Sequence, residues 1–179
     1  VVNGALDNAS GVVDIMGAAK AIVLSGIRLK RSVMFLFFGG EESGLVGSRL
    51  YIEKPVFTKD KTITFINLDM VGNGTGFSVS AGSTYKDLLN YFVQANTQYV
   101  HRDMHISVSS GEYFGRPRSD GAVFRMAGYN TIEIGTTGWY KKVFYHLPGD
   151  DPTALTIDIM EDVSKMIYVA LINMANDDQ

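Results

Sequence analysis

The feature that most constrains this chain is an apolar run, Val33-Met34-Phe35-Leu36-Phe37-Phe38, that ends at once in Gly39-Gly40-Glu41-Glu42-Ser43-Gly44. Six unbroken apolar residues are too few to cross a bilayer and read as a buried strand. A strand that stops at two glycines and two adjacent carboxylates points to an α/β sheet with chemistry at the strand's end. In such sheets ligands bind outside the carboxyl ends of the strands, and glycine lets backbone and ligand approach closely. The plainer alternative is a strand leading into an acidic helix start, where Glu favours the helix macrodipole. The motif alone does not decide between them.

The remaining elements follow from periodicity. Val12, Ile15, Met16, Ala19, Ile22 and Val23 have helical spacing, and Gly26 should end that helix. A short helix runs through Leu45, Arg49 and Tyr51 until Pro55 forbids continuation. Ile63 to Met70 reads as a second buried strand, and Asn73-Gly74 predicts a hairpin to an antiparallel strand at Phe77 to Ala81. Ser83 is expected to cap a helix whose apolar face is Tyr85, Leu88, Leu89, Phe92 and Val93. Residues 101–118 lose periodicity and read as a long loop. Ser119 then caps a short helix ending near Gly128, and Thr131 to Gly135 is a strand. A last helix over 153–175 aligns Ile159, Val163, Met166, Ile167, Ala170 and Met174 as a core stripe. The order predicts a three-layer α/β/α fold with a mixed, mostly parallel sheet and one antiparallel hairpin.

Composition narrows the function. At 179 residues, 46% apolar and 20% charged, the chain reads as one domain, residues 1–179, with length for a substantial core. A net charge of −3 offers no basic face for nucleic acid, and no apolar run spans a membrane. The lack of cysteine excludes disulfides and thiolate metal sites and leaves the redox compartment open. The sequence opens at Val1 inside what looks like a motif, so it is expected to be part of a longer precursor.

Carboxylates and one histidine fall at element ends: Asp7 before the first helix, Glu41 and Glu42 after the first strand, Asp69 after the second, and His146 in Tyr145-His146-Leu147-Pro148. Oxygen and imidazole ligands without sulfur suit a hydrolytic zinc site with an open position for water. For each of these residues alone, a solvated surface carboxylate or a satisfied histidine is the commoner explanation. Asp69 resists that explanation, because Leu68 and Met70 flank it and a buried charge needs a partner or a metal. His101 and His105 are four apart, but no Glu follows His101, and the pair is read as incidental.

Five motifs in register, GALDNASG at 4–11, FFGGEESGLVGS at 37–48, NLDMVG at 67–72, Ser119-Asp120 and YHLPGDD at 145–151, resemble the co-catalytic di-zinc aminopeptidase family. That family includes bacterial leucyl aminopeptidases, glutamate carboxypeptidases, glutaminyl cyclases and the transferrin receptor ectodomain. The resemblance implies that Asp7 bridges two zinc ions, that Glu42 and His146 complete one site, and that Asp69 serves the other. Glu41 would be the catalytic general base, taking a proton from a metal-activated water and delivering it to the leaving amine. Met70, Tyr113, Phe114 and Tyr145 are candidates for an apolar substrate pocket, with Ser119 and Asp120 behind the ligands.

Two departures bear on activity. The family's upstream His-x-Asp motif is not in this sequence, so the chain is expected to be a C-terminal portion of the domain, poorly active alone, with one well-held zinc site. In the family fold a strand of that missing part lies between those at 33–38 and 63–69, so the two are expected either to stand apart with the gap filled by a neighbouring chain or to shift and pair directly; the first is favoured, and with it self-association of copies. The family's Ser-Asp-His reads Ser119-Asp120-Gly121. The function implied is a zinc-dependent exopeptidase, an aminopeptidase acting on peptides. The alternatives are a carboxypeptidase or glutaminyl cyclase of the same fold and a non-catalytic binding domain. Bacterial members of the family are often exported, which makes a periplasmic or extracellular location an expectation from resemblance.

Overall fold

The computed structural model describes residues 2–82, 87–108, 112–113, 116–139 and 145–178. A turn over Ala5–Ala9 enters helix α1, Ser10–Ser25, which Gly26 ends in the left-handed conformation with its N–H on the Val23 carbonyl. Helix α2, Val46–Glu53, stops short of Pro55. Then come strand β1, Phe65–Leu68, strand β2, Gly76–Ala81, helix α3, Leu89–Ala95, and strand β3, Met104–Val108. A two-residue ladder pairs β4, Glu112–Tyr113, with β5, Arg116–Pro117. Helix α4, Asp120–Met126, strand β6, Thr131–Thr137, and helix α5, Ile157–Asn176, complete the chain.

The main sheet has the order β1-β6-β2-β3, with β1/β6 and β2/β3 parallel and β2/β6 antiparallel. Period-two alternation decides what each face meets. On one face Leu68, Phe77, Val79, Ile132 and Ile134 form a core with Phe92 of α3 and Ile159, Val163 and Met166 of α5, and Ala18 of α1 joins it. Each fully buried large side chain there contributes about 1.5–3 kcal/mol. On the other face Phe124 of α4 stacks on Phe65, ring centroids 3.7 Å apart, and Phe38 and Tyr51 pack around them. Helices therefore cover both faces, giving the expected three-layer mixed α/β arrangement.

Three expectations are corrected. Residues 33–38 form no ladder, and Met34 and Phe37 are exposed. An apolar run becomes a strand only where another strand meets its N–H and C=O groups. Here the facing edge of β1 stands across a cleft of about 890 Å³, lined on its two sides by Val33, Phe35, Ile66 and Leu68. The two segments thus stand apart. Next, Asn73-Gly74 makes no hairpin between β1 and β2, because β6 lies between them. The Thr75 N–H donates to the Thr137 carbonyl, which fixes the turn to the end of β6, and the central position is what buries Ile132 and Ile134. Finally, residues 104–108 of the expected loop are a strand. Met104, Ile106 and Val108 do alternate with His105 and Ser107, but on an edge strand both faces are partly exposed and the signal is weak. His101 ends a helical turn and His105 sits exposed in β3. The expected cap Ser83 lies outside the described residues.

One core residue runs against the pattern. Asp14 of α1 is 1% exposed, takes a hydrogen bond from Ser164 Oγ of α5 at 3.2 Å, and leaves Oδ2 with no partner. Burial pushes its carboxyl up from 3.8 to about 8. The folded chain therefore holds a proton that the unfolded chain releases near pH 3.8, and stability falls as pH rises through this window, by up to about 1.4 kcal/mol per unit. Asp14→Asn should remove that loss. In thermal melts from pH 4 to 8, the gap in stability between variant and wild type should open from near zero to the order of a few kcal/mol. Parallel curves over the whole range would show that Asp14 does not hold its proton in the fold.

Candidate metal centre

The turn carrying Asp7 is fixed from two sides. The Leu6 and Asp7 N–H groups donate to Asp150 Oδ1 and Oδ2 at 2.7 and 3.0 Å, and the Ala5 N–H donates to the Asp150 carbonyl at 3.0 Å. On the other side the Asn8 amide donates to the Leu68 carbonyl at 2.8 Å and accepts from the Met70 N–H at 3.2 Å. Asn8 thus supplies, at the open edge of β1, what a neighbouring strand's peptide group would supply. It also accepts from the Gly11 N–H, and a Cβ at Gly11 would stand 2.6 Å from Asn8 Oδ1 and 2.7 Å from the Leu68 carbonyl. Only glycine fits there.

Glu41 and Glu42 lie in a tight turn ahead of α2. The Glu41 carbonyl accepts from Leu45 and Gly44, the Gly40 carbonyl accepts from Val46, and the backbone turns through left-handed φ values of 73° at Gly40 and 63° at Leu45. His146 has a left-handed φ of 57° and stacks on the Tyr145 ring at 3.7 Å. Asp69 follows β1, anchored by its N–H on the Ile134 carbonyl at 3.1 Å, and Met70 turns away from the sheet with φ 55°.

These turns bring Asp7, Glu42 and His146 together. His146 Nε2 stands 2.6 Å from Glu42 Oε1 and 3.2 Å from Asp7 Oδ2, and one ligand atom from each residue lies within 4.8 Å of the others. Two carboxylates and an imidazole converging with one side towards solvent fit a divalent ion such as zinc with an open position. Asp69 stands beside this trio rather than in it, and its charge reaches Asp7 and Glu41. Burial, then Glu42, raises Asp7 to about 6, while His146 pulls the other way. Burial, then Glu42, Asp120 and Asp7, raises Glu41 to about 7. Burial, then Asp7, Glu41 and Asp120, raises Asp69 to about 7. Among the described residues, the charges acting on these three carboxylates are mostly those of other carboxylates.

Ser119 caps α4, accepting from the Ala122 N–H and donating to Glu133 Oε2 at 3.0 Å. Burial raises Asp120, which Ser48 partly offsets by hydrogen bonding. Where the family has histidine, a Cβ at Gly121 would stand 2.8 Å from Glu133 Cγ, so Glu133 fills that space. Of the expected pocket residues, Met70 is half-buried and Tyr145 exposed. Tyr113 lies in β4 with only its backbone described, and Phe114 falls outside the described residues. Glu133 and Asp150 escaped the sequence reading, as did the anchoring bonds that Asn8 makes to β1. Asp150 sits in the quoted YHLPGDD, where Asp151 before Pro152 reads as a turn cap and does accept from the Thr153 N–H, while no local signal marks Asp150 as buried.

Residues 1–171 match the model of peptidase family M28. The chain is 28% identical over 155 residues to a vacuolar membrane protease of Sclerotinia sclerotiorum, a match covering 87% of this chain and 14% of that protein. It superposes on the LapA aminopeptidase of Legionella pneumophila with a TM-score of 0.77 at 27% identity, covering 99% of this chain and 48% of that one. It superposes on BSAP, a zinc aminopeptidase from Bacillus subtilis, with a TM-score of 0.81 at 20% identity, over 99% and 44% of the two chains, a likeness of fold. The chain spans less than half the length of each of these proteins.

Metal and protons should compete for the trio. Zinc at about 100 times its Kd should stabilise the chain at pH 7.5 by about 2.7 kcal/mol, read as a rise in Tm. The rise should shrink as pH falls below about 6, where Asp7 takes up its proton. It should vanish in His146→Ala. An equal rise at pH 5 and 7.5, or one that survives His146→Ala, would place the ion elsewhere.

Proposed function

Because the chain belongs to peptidase family M28, we propose that it carries the catalytic centre of a zinc-dependent exopeptidase that removes N-terminal residues from peptides. The observation that carries the reading is the meeting of Asp7, Glu42 and His146 with Glu41 next in sequence to one of them. Asp7, Glu42 and His146 would hold one zinc, and Asp69 would serve a second together with Asp7. When bound, the metal lowers the pKa of water and polarises the scissile carbonyl.

Glu41 acts as the general base. Burial, and after it like charge, raises its carboxyl to about 7, a proton affinity suited to exchange near neutral pH. Glu41 accepts the proton of the attacking water and returns it to the leaving amine. The likeness to the LapA aminopeptidase favours cleavage at amino termini over carboxyl termini. Met70 and Tyr145 offer the apolar contacts for the substrate side chain.

A panel of N-terminal aminoacyl and C-terminal peptide substrates, tested on the whole protein with zinc, checks the reaction class. Release from the carboxyl end alone, cyclisation of N-terminal glutamine alone, or no turnover at all would replace it. In the same protein Glu41→Gln should keep its zinc while turnover falls by about two to four orders of magnitude. Glu42→Gln should lose zinc. The reverse pattern would exchange the roles of the two residues.

A further inference from the structure

We propose that Asp150 is the positioning residue that sets the spacing of the metal trio, by fastening the loop that bears His146 to the turn that bears Asp7. The inference rests on the reading that Asp7, Glu42 and His146 hold a metal ion. His146 needs such a tether. Its side chain is about half exposed, and its neighbours Tyr145 and Leu147 are 52% and 53% exposed, so apolar packing does little to hold this loop. Its own left-handed φ is a conformation that a non-glycine residue seldom keeps unaided.

Polar ties replace the packing. Asp150 is 0% exposed, and each of its carboxylate oxygens accepts one of two consecutive N–H groups, those of Leu6 and Asp7. Its carbonyl accepts from Ala5 and its N–H donates to Leu147, so one residue joins both chain segments through four bonds. The second oxygen takes the N–H of Asp7 itself, which orients the peptide of a ligand rather than a neighbouring one. A buried carboxylate is a costly way to staple two loops, since an apolar contact would avoid the desolvation. What it adds is direction. Two acceptors at fixed separation admit one register of the Asp7 turn against the His146 loop. An asparagine would turn an N–H₂ donor towards one of the two N–H groups and lose that register.

The test compares Asp150→Asn, Asp150→Ala and, as a control, Asn3→Ala, which removes a solvent-side tie between the same two segments, Asn3 Nδ2 to the Pro148 carbonyl at 2.8 Å. Zinc Kd is measured by chelator competition, the ligand field by the absorption bands of the cobalt-substituted chain, and folding by far-UV circular dichroism. Both Asp150 variants should keep the wild-type dichroism, bind zinc about 10–100-fold more weakly and show altered cobalt bands, as partners that orient metal ligands do. Asn3→Ala should keep the wild-type Kd and bands. If Asp150→Ala does not fold, Asp150→Asn, which keeps the size and one acceptor, is read in the same way. Wild-type Kd and bands in Asp150→Asn would overturn the assignment, as would an equal loss in Asn3→Ala. A wild-type chain that binds no zinc would overturn the metal reading and this inference with it, whereas tight wild-type binding with unaffected variants overturns this inference alone.

Discussion

Asp7, Glu41, Glu42, Asp69 and Asp120 arrive at one place from four separate stretches of chain, and the repulsion among them is the constraint around which the rest is arranged. Burial first, and then the charge of neighbouring carboxylates, raises Asp7, Glu41 and Asp69 above the usual carboxylate range. Backbone anchorage has to hold the carboxylates against one another. Asn8 ties the first turn to β1, Asp150 ties it to the histidine loop, and the Ile134 carbonyl holds Asp69 to β6. A divalent cation reverses the sign of the problem, since the same crowding then becomes a ligand field.

The sheet explains why these turns meet. β6 occupies the centre because it alternates cleanly, with Ile132 and Ile134 on the α5 side and Glu133 on the α4 side. Its partner β1 ends where Asp69 and Met70 turn out, and α1 starts directly against that end through Asn8, Ser10 and Gly11. The Ser10 hydroxyl, donating to the Leu6 carbonyl and accepting from the Val71 N–H, repeats the arrangement one turn further in. The site is therefore built at the carboxyl end of a strand, where open α/β sheets place their ligands.

Much of this was legible in the residues. Helix α1 with its Gly26 stop, α2 before Pro55, the Ser119 cap and the stripe of α5 follow from local rules that depend on near neighbours alone. The trio was legible through spaced motifs, which record what a fold brings together without showing how. What escaped depends on distant partners. Residues 33–38 have the composition of a strand, but pairing is a property of two segments, and β1 stands across a cleft. The place of β6 between β1 and β2 follows from a comparison of all strands at once. Asp150 and Asp151 are neighbours of the same type, and only the burial of the first separates a structural carboxylate from a solvated one.

Leu45, Met70 and His146 share a backbone geometry whose consequence reaches beyond the site. All three are bulky residues at φ between 55° and 63°, each a position where glycine or asparagine would rest more easily, at a cost of about 1–3 kcal/mol apiece. An unfolded chain populates these conformations rarely, and hardly ever all three together. The centre has no local precursor that could form ahead of the domain. These turns therefore depend on the sheet and helices that hold them, and an ion bound to the finished arrangement would add its binding energy to the stability of the fold.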